Sequence, residues 1–327
     1  MEGTGVPLVT PFEESGEIDE PKLRELVDWI VDRGVDFIVP AGSNSESELL
    51  TLDERVRVTE IVVDQSPVPV MAGTGHPGFV ETIENTNRAA EAGADAALVV
   101  TPFYFGTDAE GHEAYYRRVA DESDVPIYLY SVPAKTHVKL APTTVGALAS
   151  HENIHGMKDS SGNITTLQRE LRLTRTEAFD TFVGSGNVYA HGLDAGATGG
   201  VLALANVAPE QSVEIYERNR SGDEAGAREL NSKLVELNRA ITATYGVPGV
   251  KAAMRYRGAP AGTVRSPLRP LERLPLERYT LSWTPLSTDG RINILCEPTS
   301  HLAIPPPAAT SAAIHIVLRT GSVAPGS

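Results

Sequence analysis

Lys158 is the residue of this sequence whose type and setting point most directly to chemistry. It stands in the segment HGMKDSSG (155–162), and the chain has only six lysines among its 28 basic residues. A buried lysine is costly because desolvation disfavours its charged form. The same desolvation helps a lysine to lose its proton and attack a ketone carbonyl, so this segment suggests Schiff-base chemistry.

Hydroxyl and amide side chains elsewhere in the chain have the types that such chemistry needs. Tyr130 lies in the apolar run PIYLYS, and a phenol close to an imine can shuttle protons. Ser43 and Asn44, in the segment GSNSE, can bind the α-carboxylate of a keto acid through several hydrogen bonds. Three ordinary explanations stay open here: Lys158 as an ion-pair partner, Tyr130 as a core aromatic residue, and GSNSE as a simple turn with helix-capping hydroxyls.

Eight short apolar runs must position these side chains, and most of them are separated by roughly the 30 residues of one βαβ unit. The runs begin at residues 5, 35, 68, 96, 126, 153, 181 and 199. Helical patterns such as 19–34, 51–65 and 78–94 lie between them. This order predicts an α/β fold, a (β/α)8 TIM barrel. A doubly wound open sheet is the competitor, but residues 8–18 lack the Gly-rich first turn typical of it.

The active site of such a barrel is built at the C-terminal ends of its strands. Those ends supply Thr10, 42–46, 73–75, 101–104, Tyr130, Ser131, Lys158, Ser160, 184–186 and Val201. The set contains one amine, with Ser160 beside it as an expected substrate contact, and no cluster of metal ligands. The closest histidine pair, His151 and His155, precedes a strand and lacks a third ligand, so we expect no metal.

The pattern changes twice towards the C-terminus. We predict a barrel over residues 1–222, a helical appendage over 223–279, and a disordered or otherwise atypical tail over 280–327. The appendage is expected because helical patterns follow one another from about residue 208 without a strand between them. The tail is rich in Pro, Ser, Ala and Thr and holds only two of the 43 acidic residues, Asp289 and Glu297.

Composition narrows the class of protein further. The formal net charge of −15 argues against nucleic acid as a partner, and no apolar run approaches the ~18 residues of a transmembrane helix. Cys296 is the single cysteine, and the first residues lack a signal-peptide pattern, so we expect a soluble cytoplasmic protein. Arginine-rich acidic composition suggests adaptation to high salt, with an ordinary acidic cytosolic protein as the alternative.

Seven motifs, taken in order along residues 3–270, resemble the dihydrodipicolinate synthase / N-acetylneuraminate lyase family. They are GSNSE, TPFY, YSVPAKT, GMKDSSG, GSG, GGVLALANV and GVPGVKAAMRYRG. The resemblance implies a (β/α)8 barrel with a C-terminal helical piece, usually a homotetramer. It also implies a lysine that forms a Schiff base with pyruvate or a pyruvate-derived keto acid, without a metal or organic cofactor.

The resemblance assigns roles to individual residues. Lys158 matches the Schiff-base lysine, and Tyr130 matches the proton-relay tyrosine. Ser43 and Asn44 match the pair that holds the keto-acid carboxylate, with Ser43 also in the relay. Tyr104 matches the tyrosine that a neighbouring subunit inserts into the relay. Positions that line the pocket in the family are matched by Gly184, Gly186 and Val201.

Two departures from the family pattern fall in the site. Ser45 stands where the family usually has glycine, and a serine there would be strained if that position had a positive φ. Lys135 stands where dihydrodipicolinate synthases usually carry the arginine that grips aspartate semialdehyde. A lysine can still pair with a carboxylate, but it lacks the bidentate fork.

The segments YSVPA, GMKDSSG and GVPGVK most resemble members that cleave 4-hydroxy-2-keto acids. The leading hypothesis is therefore a class I lyase that cleaves 4-hydroxy-2-oxoglutarate or a 2-keto-3-deoxy sugar acid to pyruvate and an aldehyde. The alternative is 4-hydroxy-tetrahydrodipicolinate synthase, which condenses pyruvate with aspartate semialdehyde. A non-catalytic barrel that senses a keto acid, without needing Lys158, is a third hypothesis.

Overall fold

Eight short parallel strands surround the centre of the molecule in the order β2-β1-β8-β7-β6-β5-β4-β3. A parallel bridge between Ile38 and Val70 joins the two end strands and closes the circle. The predicted (β/α)8 TIM barrel is confirmed.

The structure is a computed structural model that describes residues 1–271 and the backbone of 280–285 and 292–297. The barrel strands are β1 (Gly3–Val6), β2 (Phe37–Ile38), β3 (Met71–Gly73), β4 (Ala96–Val100), β5 (Ile127–Ser131), β6 (Ile154–Asp159), β7 (Asp180–Val183) and β8 (Gly199–Val201).

Helices connect the strands and cover the outside of the barrel. A capping box begins the second helix, because Thr51 Oγ1 accepts from the Glu54 N–H while the Glu54 carboxylate accepts from the Thr51 N–H. The helices are α1 (Glu20–Val31), α2 (Leu52–Gln65), α3 (Phe79–Glu91), α4 (Ala109–Asp121), α5 (Pro133–Thr136), α6 (Pro142–Leu148), α7 (Ile164–Thr174), α8 (Tyr189–Asp194), α9 (Ala203–Val207) and α10 (Pro209–Arg220).

Two more helices follow the barrel, α11 (Glu224–Arg239) and α12 (Gly246–Tyr256), with a π-helical turn (Ala240–Thr244) between them. This turn returns the chain to the end of the barrel where the strands have their C-terminal ends, and Thr242 and Val247 line a cavity there. The predicted division of the chain at residue 222 stays a prediction.

Large apolar side chains fill the interior of the barrel. Phe37, Tyr128 and Phe182 stack across it, with ring centroids 5.2 Å apart for Phe37–Phe182 and 5.9 Å apart for Tyr128–Phe182. Met71 and Leu98 belong to the same buried cluster. A larger apolar layer packs between the strands and the surrounding helices. The interior is thus a packed core below the site, as expected for this fold.

Four residues other than glycine have a left-handed backbone, namely Ala41, Glu46, Tyr104 and His137, among the residues that the structure describes. They follow β2, β4 and β5, so all four lie in loops at the C-terminal ends of strands. A left-handed conformation costs a non-glycine residue of order 1–3 kcal/mol and persists only where the surroundings impose it. Such residues cluster at functional sites, and here they mark one end of the barrel.

The tail predicted for 280–327 lies outside the described residues, apart from two backbone segments. These are β9 (Thr280–Pro285) and β10 (Ile292–Glu297), which pair antiparallel with Thr280 opposite Glu297. Within the described part of the chain, no helix combines the length and apolar character needed to cross a bilayer.

Candidate active site

Lys158 lies near the C-terminal end of β6, in register with Tyr130 of β5 and Phe182 of β7. Only 5% of the residue is exposed, and its Nζ is 4.4 Å from the centroid of the Tyr130 ring. Among the described residues, no carboxylate lies within ion-pair distance of this amine. The geometry therefore gives no support to the ion-pair explanation for Lys158.

Tyr130 faces the same space, and its phenol interacts with three polar groups. Burial by itself would raise its pKa, but the charge of Lys158 and hydrogen bonds with Ser43 and Ser160 oppose burial. The net result is a Tyr130 pKa below its ordinary value. A phenol that releases its proton more readily, beside an amine, is suited to general acid–base catalysis.

Ser160 and Gly184 complete the wall beside the lysine. The Ser160 N–H donates to Ser131 O over 2.9 Å, and the Gly184 N–H donates to Asp159 O over 2.7 Å. A Cβ at residue 184 would overlap the Ser160 side chain, so only glycine permits this approach. Ser160, Gly184 and Gly186 all line the cavity that contains Lys158.

Ser43 and Asn44 stand on a short 3-10 turn, Ser43–Ser45, that follows β2, and both line the same cavity. The strain considered for Ser45 is not found there. Ser45 has no left-handed backbone, and its hydroxyl donates to the carbonyl oxygen of Leu8. The left-handed residue is the next one, Glu46, with φ of 61°.

Two adjoining cavities of about 450 and 430 Å³ open at this end of the barrel. The first contains Lys158, and the second extends over Glu46, Leu49 and Phe103. Both are lined by Ser43, Tyr130 and Lys135. Lys135 itself is exposed on α5, so its ammonium can meet a ligand from the solvent side. The combined space suits a keto acid and a second small molecule.

Two of the predicted site residues are not brought into these cavities. Tyr104 is 87% exposed and packs edge-to-face on Phe105, with centroids 5.1 Å apart. Val201 is fully buried in the apolar cluster inside the barrel, in the same cluster as Tyr130. Neither residue lines either cavity.

The sequence analysis missed the residues that the loop after β7, the end of α11 and the π-helical turn contribute. Asn187, Asn238 and Thr242 line the Lys158 cavity, and Asn238 Nδ2 donates to Asn187 Oδ1 over 2.8 Å. Asn238 lies 51 residues after Asn187, in a helix that carries no local motif. Nothing in the pattern of that helix indicated that its end reaches the site.

No group of three or more His, Cys, Asp or Glu side chains in the described part of the chain has metal-binding geometry. What the site does bring together is an amine, a phenol, two serine hydroxyls and the side-chain amide of Asn44. Such a set can attack a carbonyl carbon, move protons at the resulting adduct and bind a carboxylate.

The sequence profile of the dihydrodipicolinate synthetase family matches residues 1–279. The chain belongs to this family. It is therefore an enzyme, a lyase of the class I aldolase type. Membership of this family disfavours the hypothesis of a non-catalytic barrel that senses a keto acid.

Individual relatives give a finer comparison. The chain is 41% identical over 264 residues to 4-hydroxy-tetrahydrodipicolinate synthase of Methanothrix thermoacetophila, covering 81% of this chain and 90% of the relative. It is 40% identical over 274 residues to an uncharacterized DapA-like lyase of Halobacterium salinarum, covering 83% and 90%.

A solved structure is also similar. Dihydrodipicolinate synthase of Acinetobacter baumannii, complexed with pyruvate, superposes with a TM-score of 0.79 at 32% identity, covering 83% of this chain and 93% of that one. The names of the relatives favour the synthase, the alternative of the two enzyme hypotheses, over cleavage of a 4-hydroxy-2-keto acid.

Proposed function

We propose that this protein is a 4-hydroxy-tetrahydrodipicolinate synthase, which binds pyruvate as a Schiff base on Lys158 and joins it to aspartate semialdehyde. The observation that carries the chemistry is the buried Lys158 amine 4.4 Å from the Tyr130 ring, without a carboxylate partner among the described residues. The synthase names of several relatives and the pyruvate bound to a similar structure support the choice of substrates.

The reaction begins when the neutral Lys158 amine attacks C2 of pyruvate. Tyr130 gives a proton to the carbinolamine oxygen, water leaves, and a protonated imine forms. Ser43 and Asn44 hold the carboxylate, while Ser43 and Ser160 hydrogen-bond the phenol. The imine draws electrons from C3, which loses a proton to the Tyr130 phenolate and gives an enamine. The enamine carbon then attacks the aldehyde carbon, and the new alkoxide takes a proton from the relay. The amino group of the second substrate displaces Lys158 from C2 and closes the ring.

Cleavage of a 4-hydroxy-2-keto acid is the second candidate, and Lys135 is the observation that favours it. Lys135 lines both cavities at the position where the synthase pattern has a forked arginine, and no arginine among the described residues lines either cavity. A point-like ammonium gives weaker orientation of a carboxylate than a guanidinium does. In this reaction the same imine accepts the electrons of the C3–C4 bond, and the C4 hydroxyl proton leaves through Tyr130.

Tyr104 enters this proposal only through a second copy of the chain. Its side chain is exposed and lines neither cavity of its own subunit. We place it in the proton relay of a neighbouring subunit within a homotetramer.

Trapping with borohydride tests the proposal. The wild-type protein is incubated with pyruvate and reduced, and its intact mass and proteolytic peptides are measured. We expect one reduced pyruvate adduct, on the peptide that contains Lys158, and none after Lys158→Met. Lys135→Met is the matched control and should still form the adduct. An adduct on another lysine, or none on folded protein, would contradict the mechanism.

A substrate panel separates the two candidates. We expect the wild type to consume aspartate semialdehyde with pyruvate, and Lys135→Met to lose most of that rate while keeping the trapped imine. Release of pyruvate from 4-hydroxy-2-keto acids, with no consumption of aspartate semialdehyde, would select the cleavage reaction instead.

A further inference from the structure

A buried ion pair lies directly behind the turn that carries Ser43 and Asn44. Lys251 Nζ is 2.6 Å from Glu46 Oε1, and the two side chains are only 0% and 1% exposed. Lys251 belongs to α12, whereas Glu46 is the residue that ends the turn after β2. Taking two charges out of water costs several kcal/mol per ion unless they are paired and hydrogen-bonded, so such a pair calls for an explanation.

All three ammonium protons of Lys251 and both carboxylate oxygens of Glu46 have a hydrogen-bond partner. Besides Glu46, the Lys251 ammonium donates to Thr10 O over 2.6 Å and to Thr263 O over 2.5 Å. The second oxygen of Glu46 accepts from the Arg265 N–H over 2.9 Å. The pair therefore ties the turn to the segment after β1, to α12 and to the segment 263–265.

The backbone of Glu46 shows what this arrangement does. Its φ of 61° is left-handed, a conformation that a glutamate adopts only when its surroundings impose it. Glu46 is the C-terminal cap of the turn Ser43–Ser45, so its backbone fixes where that turn ends. The direction in which Ser43 and Asn44 point depends on this fixed end.

We propose that Glu46 and Lys251 are positioning residues for pyruvate binding, holding the turn so that Ser43 and Asn44 face the keto-acid carboxylate. This inference rests on the proposed function, in which those two residues bind that carboxylate. It also gives the helices after the barrel a direct part in the site, because α12 supplies the buried cation.

The charge state of Lys251 makes this positioning of the turn dependent on pH. Burial lowers the pKa of Lys251 to about 8, against the opposing charge of Glu46 and with a smaller lowering by Arg255 and Arg265. The ring of Phe12, 4.6 Å from Nζ, faces it on the remaining side. Above that pH the neutral amine no longer attracts Glu46, so pyruvate binding should weaken as the pH rises through 8.

The test measures borohydride trapping over a range of pyruvate concentrations. In Glu46→Gln and in Lys251→Met, we expect the half-saturating pyruvate concentration to rise about tenfold, the loss of one charge-assisted bond. The trapped fraction at saturation should stay that of the wild type, because Lys158 is intact. Lys251→Met should also lose the weakening of binding near pH 8.

The double variant separates positioning from stability. A single substitution leaves one buried charge unpaired and should lower the melting temperature, whereas Glu46→Gln with Lys251→Met removes both charges and should recover much of it. Its half-saturating pyruvate concentration should stay high. Glu210→Gln is the matched control, since the Glu210 carboxylate pairs with Arg257 at the far end of α12, 2.9 Å away. It should bind pyruvate as the wild type does.

Three outcomes would overturn the inference. Wild-type pyruvate dependence in both single variants would mean that the pair does not position the turn. A double variant that recovers pyruvate binding together with stability would mean that the pair affects the stability of the fold and does not position the turn. A wild type that traps no pyruvate would refute the proposed function, and the inference with it, and this outcome is distinct from the first two.

Discussion

Tyr130 is the residue on which the proposed proton transfers depend. Burial would raise its pKa, but the charge of Lys158 and the hydroxyls of Ser43 and Ser160 hold that pKa below its ordinary value. Two residues earlier on the same strand, Tyr128 directs its hydroxyl to Asp180 Oδ2 over 2.7 Å. Both tyrosines therefore lie on β5 in the barrel interior, but Tyr128 interacts with Asp180 whereas Tyr130 interacts with Lys158.

We predict that Tyr130→Phe slows imine formation by about 10²–10⁴-fold, the usual contribution of a positioned acid or base. Tyr128→Phe is the control and should change this rate by less than about threefold, because its phenol meets Asp180 and not Lys158. Single-turnover trapping at saturating pyruvate measures both. Equal slowing in the two variants would point to a disturbed barrel interior.

Some residues of the site could be placed together from the fold pattern, whereas others depend on contacts between residues far apart in the sequence. Lys158, Tyr130 and Ser43 were predicted together because the ends of parallel strands in a barrel meet at one place. Strain at Ser45 was expected only if that residue had a positive φ, and this condition is not met. The residue that is left-handed, Glu46, is held by Lys251, 205 residues further on, and no local pattern contains that contact.

At the scale of elements, α7 carries a buried carboxyl group that lacks a hydrogen-bond partner among the described residues. Glu170 of α7 is fully buried, and neither of its carboxylate oxygens has a hydrogen-bond partner among the described residues. Burial, and then the neighbouring charge of Asp159, raise the pKa of Glu170 to about 9, with Lys139 opposing them. The side chain is therefore protonated at neutral pH, behind the strand that carries Lys158.

We predict that Glu170→Gln stabilises the protein at pH 9 by on the order of 6 kcal/mol, since each unit of pKa shift is worth about 1.4 kcal/mol, and has little effect at pH 4.5. Between the ordinary pKa near 4.5 and the native value near 9, the folded protein holds a proton that the unfolded chain has released. Stability thus falls as the pH rises through this window, and a glutamine removes that loss.

Urea unfolding at both pH values checks the prediction. Glu177→Gln, an exposed substitution just beyond the same helix, is the control and should change neither value. A gain of the same size at pH 4.5 and pH 9 would show that ionisation of Glu170 is not the cause.

Strands and helices were predictable from hydrophobic periodicity, although their bounds were not. The run that begins at residue 35 predicted a strand, and β2 occupies only two residues of that run, Phe37–Ile38. The helices after the barrel were expected, whereas the π-helical turn Ala240–Thr244 was not. That turn brings Thr242 to the cavity at the end of the barrel. Its conformation depends on contacts in the assembled fold and not on a local sequence pattern.

At the scale of the whole molecule, two adjacent aromatic residues stand out on the surface. Tyr104 and Phe105 are 87% and 79% exposed, at the end of the barrel that carries the site. Tyr104 also has a left-handed backbone, with φ of 79°. The proposed homotetramer would cover this pair and bring Tyr104 to the relay of a second subunit.

We predict a tetramer in light scattering of the purified protein, and a turnover at least about tenfold slower in Tyr104→Phe. The substitution keeps the ring and removes the hydroxyl, so the mass in solution should not change. Tyr256→Phe, at another exposed tyrosine, is the control and should keep wild-type turnover. A fully active monomer would contradict the proposed role of Tyr104.

The four left-handed residues Ala41, Glu46, Tyr104 and His137 have a consequence for the evolution of this enzyme in the laboratory. All four lie in the loops at the catalytic end, so the strain of the fold is concentrated where the chemistry is done. Selection for heat resistance alone will favour substitutions that relax these loops, and turnover will fall with them. Libraries confined to the opposite end of the barrel can raise heat resistance without that loss.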